Sequence, residues 1–599
     1  MRNKKLVADF MHKNAILLQI SLIVILGLAV YANSLKGAFV WDDRLFIIDN
    51  PYINNWPKVL NIFSERVSLG GSFELYIYRP LQILTYMIDY SLWSLNVFGY
   101  HLTNVLLHIL VALGVYLFVY LLCNNRLLSL FVGILFVIHP VQTDAVSYIS
   151  GRGDLLSVLF MLLCLILYIR QSHPGKMSFS MFFLMLLSYI LAILSKENAL
   201  ILPALVLLYH YSFKKKINAK LYLPVLIVAF FYMFLRMQML GSFYHGQDIL
   251  LKRVPGFFVA ITNYLRILLL PINLHMDYGN RLFGITEIKA LFGMAVVFLA
   301  LIYAFKIRSK NKIASFSIYW FFIALLPTSS VYPITAFYMA EHWLYLPSIG
   351  FFIILASILI KSYEVKNLKV IAVSIMVCIV LVCSYLTIKQ NSYWRNPVDF
   401  YKRILIYTPD SAAANNNLGY EYMTAGPKEK AIEYFEKAIK INPRMAIAYF
   451  NLGNIYIGNG DNQKAVALLT KALGIEPNSA LAYYALGNAY YNLGDKEAAI
   501  RAGCKAIEID PRYVEAYNNL ASVYTEVGRV DEAIRLWNKV VELKPDFSVA
   551  HFNLAVFYYA QGKYDLSIKH CDKVIELGSQ VDLEFLKLLE PHRNKIFIK

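Results

Sequence analysis

Up to about residue 390 the chain alternates long apolar runs with short polar breaks, and from about 391 it becomes a mixed-charge sequence with helical periodicity. An apolar run of about 20 residues is long enough to cross a bilayer as a helix. Short breaks rich in Lys and Arg belong on the cytoplasmic side, so they set the direction of each crossing. Such clusters are Arg2, Lys4, Lys5 and Lys13; Arg126; Arg170 and Lys176; Lys214–Lys216 and Lys220; Lys306, Arg308, Lys310 and Lys312; and Lys361, Lys366 and Lys369. Threaded from the inside, spans are predicted over 14–33, 99–122, 127–140, 153–170, 178–195, 199–213, 221–240, 289–306, 315–331, 343–360 and 368–389. Residues 256–272 are apolar as well, but a crossing there would carry the Lys306–Lys312 cluster outside. A re-entrant or surface-lying segment keeps the parity and leaves 241–288 outside. The prediction is about eleven transmembrane helices in 1–390, the N-terminus inside, and 391–599 extracytoplasmic.

The polar half has a period of 34 residues from about 412, the tetratricopeptide length. Pro409, Pro443, Pro477, Pro511 and Pro545 mark it, and Leu418-Gly419, Leu452-Gly453, Leu486-Gly487, Leu520-Ala521 and Leu554-Ala555 are the small-residue contacts of each first helix. Tyr422, Tyr456, Tyr490, Tyr524 and Tyr558 follow, then Ala431, Ala465, Ala499, Ala533 and Ser567 where each second helix packs closely. Five full repeats span 412–581; Tyr393–Pro409 reads as the second half of a preceding one and Asp582–Lys599 as a capping helix. Gly503 and Ser579 fall where a bulky residue and a Pro are expected. The fold class is therefore all-α: a polytopic membrane domain, then an α-solenoid whose inner face binds an extended peptide or a partner helix. Asn417, Asn451, Asn519 and Asn553 recur at one repeat position, with Ala485 breaking the series. Such a ladder can hydrogen-bond a peptide backbone without reading its sequence, and it resembles that of the nucleocytoplasmic O-linked sugar transferase. Asn is also ordinary consensus packing at this position.

Composition agrees with the pattern: 58% of the 599 residues are hydrophobic and 16% charged. The formal charge of +18 is no sign of nucleic-acid binding, because the surplus lies in the short clusters between apolar runs. Cys123, Cys164, Cys378 and Cys383 lie in or beside apolar segments, and Cys504 and Cys571 are far apart, so no disulfide framework or metal spacing emerges. The run Ala15–Ala32 follows a basic patch with no small-residue cleavage site and reads as a retained signal anchor. No Asn-x-Ser/Thr acceptor occurs, which favours a prokaryotic plasma membrane over the endoplasmic reticulum.

The outer loops share a character. They hold Trp41-Asp42-Asp43-Arg44, Tyr78-Arg79-Pro80-Leu81, His139-Pro140 with Asp144, Gly151-Arg152-Gly153-Asp154, Lys196-Glu197, Asp277 and Glu341-His342. Any one has a bland explanation: an Arg can snorkel to headgroups and His139-Pro140 can simply end a helix. Their gathering on one side marks a site. A transferase using a lipid-linked phosphosugar must hold an anionic leaving group, which calls for Lys, Arg or a metal. It must also deprotonate an acceptor hydroxyl, which calls for a placed carboxylate. Asp42 or Asp43 supplies the base, and Arg79, Arg152 and Lys196 are candidate phosphate holders. A divalent cation, Mg or Mn, is the one cofactor the acidic pair could take.

In order along the chain, Trp41-Asp42-Asp43, Tyr78-Arg79-Pro80-Leu81, His139 to Val146, Gly151-Arg152-Gly153-Asp154-Leu155-Leu156, Ser195-Lys196-Glu197 and Leu344 to Phe351 carry a family resemblance. The chain resembles the transmembrane and tetratricopeptide repeat-containing O-mannosyltransferases of the GT-C superfamily. The resemblance implies a GT-C fold, a polyprenyl- or dolichyl-phosphate-linked mannose donor, and transfer to Ser/Thr hydroxyls of proteins outside the cytoplasm. It puts the acidic motif on Asp42-Asp43, with Asp42 the base, and places His139, Asp154, Glu197, Glu341 and His342 with the donor-binding residues. Gly153 replaces a commoner Ala, and His342 stands where family members often carry Arg, which makes any phosphate contact there pH-dependent.

Three other readings compete. An O-oligosaccharide ligase or polymerase would use a pyrophosphate-linked glycan, and the acidic first loop and motif order argue against it. A membrane-anchored assembly scaffold does not need Asp42, Arg79, Arg152 and Lys196 on one face. A transporter would carry ionisable groups near the bilayer centre or paired repeats. The acceptor, the identity of the hexose and the oligomeric state are not legible at this stage.

Overall fold

The computed structural model describes residues 2–64, 78–172, 178–240, 247–328 and 338–596. Lys176, part of the long first outer loop, the 329–331 end of the ninth expected span and the last three residues of the capping segment lie outside the described residues. Among the described residues the regular elements are all helices. They form two compact units, which divide after Ala414.

In the first unit every run predicted to cross is helical. Six of these helices are long and apolar enough to span a membrane, or seven spans if Arg126–Ile138 and Pro140–Val146, bent by 53°, count as one. Phe179–Ser195, Leu202–Phe213, Lys312–Leu325 and Ser348–Glu364 are shorter, at 12 to 17 residues. The apolar stretch 256–272 belongs to a longer helix, Gln247–Leu269, whose first half carries Lys252 and Arg253.

The helices differ in what surrounds them. Ile149–Gln171 is central, with 83% of its most apolar stretch buried, whereas Ile288–Ile307 and Lys366–Ser392 bury only 17% of theirs. Phe230, Phe231, Ile288, Phe298 and Val370 point outward and are exposed. So broad an apolar surface is stable only against lipid, and the chain is a multi-pass membrane protein. Close crossings use small residues: a Cβ at Gly350 would collide with the Ser317 carbonyl oxygen, and one at Gly293 with that of Phe258. Buried polar groups tie helices together. Asn391 donates to the Val30 carbonyl (2.9 Å) and accepts from the Ser147 hydroxyl (2.8 Å).

Two features depart from the linear reading. The loop 34–98, expected outside, contains a helix, Pro80–Trp93, opened by a proline that needs no amide hydrogen at that position. Its Ile83, Tyr86 and Met87 pack on Phe46, Ile47 and Ile62 as a small core of their own. The helix Pro397–Tyr407, expected as half of a repeat, packs into the first unit instead. Tyr401 meets Trp41, Arg403 donates to the Leu274 carbonyl (3.1 Å) and Thr408 to that of Asp277 (2.7 Å). The apolar runs end at 390, but packing carries the first unit on to Ala414.

The second unit stacks helix pairs: Ala412–Ala425 with Lys428–Ile441, Ala446–Gly458 with Asn462–Ile475, Ala480–Asn492 with Lys496–Ile509, Val514–Glu526 with Val530–Leu543, and Ser548–Ala560 with Tyr564–Glu576. Leu583–Ile596 follows. Gly460, Gly494, Gly528 and Gly562 turn the chain within the last four pairs at φ between 72° and 82°, a region that costs any other residue. Asp461 and Asp495 then cap the second helices by accepting the amides of Lys464 and Ala498.

Candidate active site

The acidic pair divides into two unlike carboxylates. Trp41 before it holds φ 54°, a left-handed backbone rare for a bulky residue. Its N–H donates to the Tyr401 hydroxyl (2.9 Å), and that of Asp42 to the Tyr148 hydroxyl (3.2 Å). Asp43 is fully buried and accepts from the amides of Val40 (3.0 Å) and Ser150 (2.7 Å) and from the Ser150 hydroxyl. It fastens the first loop to the turn that starts Arg152–Gln171. Asp42 is left partly exposed. Burial pushes Asp43 up to about 7, against its hydrogen bonds from Ser150 and Val40. Burial also raises Asp42, opposed by the Tyr148 hydroxyl and then by the charges of Arg79 and His342.

Arg79 is therefore a cation whose field reaches Asp42. Arg79 forks onto Glu197, with Nη2 2.8 Å from Oε1 and Nε 3.1 Å from Oε2. Arg236 reaches the same carboxylate at 3.4 Å. Burial alone would raise Glu197, but Arg79 and Arg236 hold it well below the usual carboxylate range. Lys196 is anchored on Asp154 at 2.7 Å, and Asn198 donates to the other oxygen at 3.3 Å. Three cations thus face two carboxylates, one positive charge in excess, with Arg79 and Lys196 still partly exposed. Gly153 makes room: a Cβ there would sit 2.7 Å from the Gln82 Oε1. His342 sets both its backbone N–H (2.9 Å) and its ring Nδ1 (2.8 Å) on Asp144.

Three residues expected to hold phosphate are engaged inside the protein. Arg152 is completely buried, 2.6 Å from Asp89, bonded to Asn104 (2.8 Å) and the Tyr100 carbonyl (3.0 Å), and stacked on the Tyr86 ring. Wholly enclosed, it braces Pro80–Trp93 against Val97–Cys123. His139 accepts the Val141 amide through Nδ1 (3.3 Å), so Nε2 is the protonated nitrogen and donates to the Leu268 carbonyl (3.2 Å). It caps the helix break as a neutral ring. Glu341 is buried and takes the His275 amide (2.7 Å) and the Tyr278 hydroxyl (2.6 Å), fixing the 274–278 loop.

The Asp43 oxygens are occupied by donors, and among the described residues no group of three or more His, Cys, Asp or Glu gathers around a common point. Sequence reasoning missed Arg236 and Tyr148. Arg236 had a signal, an arginine within an apolar helix; Tyr148 had none, since only folding brings it to Asp42.

In the repeat unit the Asn series is partly spent on packing. Asn451 is buried and donates to Asn416 (3.2 Å), which in turn donates to Asn417 (3.2 Å). Asn519 donates to the Tyr484 hydroxyl (2.9 Å) and to Asn488 (3.1 Å). Asn417 and Asn553 remain partly exposed.

Comparison with known proteins bears on both halves. Tetratricopeptide repeat families match 419–460, 453–494 and 521–562, then 505–535, and also 480–513 and 549–578. The protein O-mannosyl-transferase F38B6.6 of Caenorhabditis elegans is 28% identical over 67% of this chain, and the match spans 59% of that relative. The protein O-mannosyl-transferase TMTC1 of Mus musculus is 34% identical over 30% of this chain and 20% of its own length. The crystal structure of MamA is 32% identical over 27% of this chain and 94% of that one, with a TM-score of 0.26. The chain thus spans under two thirds of the curated relatives it matches. A match over two thirds of this chain is longer than the repeat unit and extends into the membrane unit. In both halves, then, this chain is similar to the transmembrane, tetratricopeptide repeat-containing protein O-mannosyl-transferases.

Proposed function

We propose that the chain transfers mannose, or a related hexose, from a polyprenyl- or dolichyl-phosphate donor to Ser/Thr hydroxyls of proteins on the extracytoplasmic side of a prokaryotic plasma membrane. The observation that carries this reading is one partly exposed carboxylate, Asp42, on which the charge of Arg79 acts, Arg79 itself belonging to a cluster in which three cations outnumber two carboxylates. The names of the relatives supply the sugar and the class of acceptor. Asp42 takes the proton of the acceptor hydroxyl as its oxygen attacks the anomeric carbon. The bond from that carbon to the phosphate oxygen breaks, and the leaving phosphate keeps the electron pair. Arg79 and Lys196, tethered by Glu197 and Asp154, receive that charge without reorganising. The repeats bind the acceptor, with Asn417 and Asn553 open to its backbone.

Asp42→Asn removes the base and keeps the shape. Membranes carrying it, given radiolabelled polyprenyl-phosphate mannose and native acceptor protein, are expected to lose transfer by about 10²-fold or more while donor binding persists. Transfer at the wild-type rate would sink the assignment.

A further inference from the structure

In the first two repeats the second helix turns one side chain onto the small residue of the first. A Cβ at Gly419 would meet the Phe435 ring, and one at Gly453 the Leu469 side chain, both at 2.9 Å. In the third repeat the equivalent residues are Gly487 and Gly503, and neither supplies a side chain. A cavity of about 190 Å³ opens there. Ala499, Gly503, Tyr484, Tyr491, Leu520 and Val523 are among the residues that line it. Asn519 and Asn488 stand at its polar edge; Asn519 donates to Asn488 Oδ1, and among the described residues no acceptor takes the Asn488 Nδ2 hydrogens. Beside Tyr491, Lys496 and Glu526 neutralise each other at 3.0 Å. The site therefore combines an apolar lining, no uncompensated charge and one free amide donor, next to a member of the Asn series.

We propose that this cavity is a side-chain pocket of the repeat groove. It takes one large uncharged apolar residue, of the Leu or Phe class, from an extended acceptor segment, while Asn488 donates to the backbone carbonyl beside it. The proposal rests on the acceptor-binding role given above to the repeats. An apolar void is costly where nothing enters it, and a guest side chain supplies the contacts that Gly503 lacks.

The test uses the full chain in lipid nanodiscs and fluorescent Gly/Ser/Thr peptides carrying one central Phe, Leu, Ala or Asp, read by anisotropy. Phe and Leu guests are expected to bind about tenfold or more tighter than Ala or Asp, as burying a large apolar side chain predicts. Gly503→Leu, which copies Leu469, is expected to erase that preference. Its Cβ would approach Leu520 to 3.1 Å, so Gly487→Ala, with no contact under 3.4 Å, provides a milder filling that should weaken the preference in part. Equal or absent binding of the four guests, a preference for Asp, or a preference untouched by both variants overturns the pocket. Guest preference without any sugar transfer in the wild type would uphold the pocket and remove the transferase reading.

Discussion

At the scale of residues, neighbours in sequence have opposite duties. Asp42 and Asp43 differ because Asp43 alone points at the Ser150 turn, where two donors meet one of its oxygens while the Val40 amide takes the other. Arg79 and Arg152 differ because Glu197 holds the first at a partly open site, while Asp89, Asn104 and Tyr100 enclose the second. Arg152→Gln would strand the buried Asp89, a loss of about 3–5 kcal/mol. A fall in the thermal stability of the purified protein is expected, and a change confined to donor KM would contradict the bracing role. Arg79→Gln acts on the chemistry. Burial raises Asp42, and Arg79 is among the groups that pull it back down. Its removal should therefore move the acid limb of the pH–rate profile upward, away from the ordinary carboxylate range near about 4. An unmoved limb would mean that the Arg79 charge does not reach Asp42.

At the scale of elements, helices were legible wherever the 3.6-residue period or a long apolar run was uninterrupted, and each expected repeat pair is present. Pro80–Trp93 was not, because it lies within a loop whose partners, Phe46, Ile47 and Ile62, are far from it in sequence. Pro397–Tyr407 was assigned to the wrong partner for the same reason: its apolar face suits a repeat, yet its Tyr401 meets Trp41 and its Arg403 is bonded to the Leu274 carbonyl. The turns within the repeats give a clean test of backbone cost. Gly528 sits at φ 78° and a Cβ there would touch nothing within 4 Å, so any loss in Gly528→Ala comes from the backbone alone. About 1 kcal/mol is expected, seen as a lower melting temperature by helical circular dichroism. An unchanged melt would show that the turn relaxes to another conformation.

At the scale of the whole molecule, the proposed topology puts the Lys214–Lys216 cluster inside and the repeats outside. In a chain otherwise freed of exposed thiols, Lys215→Cys and Asn459→Cys, both at exposed positions, should react with a membrane-impermeant maleimide from opposite sides. Labelling from inverted vesicles is expected only at 215, and from right-side-out vesicles only at 459. Reaction of both from one side would overturn the threading and, with it, the extracytoplasmic setting of Asp42.

The sequence by itself determined the all-α class, the membrane and repeat halves, the repeat period and the place of Asp42, Arg79 and Lys196 in polar breaks between apolar runs. Those follow from hydropathy and periodicity, which are local properties of the chain. Tertiary structure alone decided which charges are spent. It buried Arg152 on Asp89, neutralised His139, gave Glu341 to the 274–278 loop, and brought Arg236 to Glu197 from a helix that reads as a plain span. It also opened a cavity where Gly487 and Gly503 meet. Whether an ionisable group is free depends on the partner that folding brings to it, and a hydropathy pattern does not name that partner.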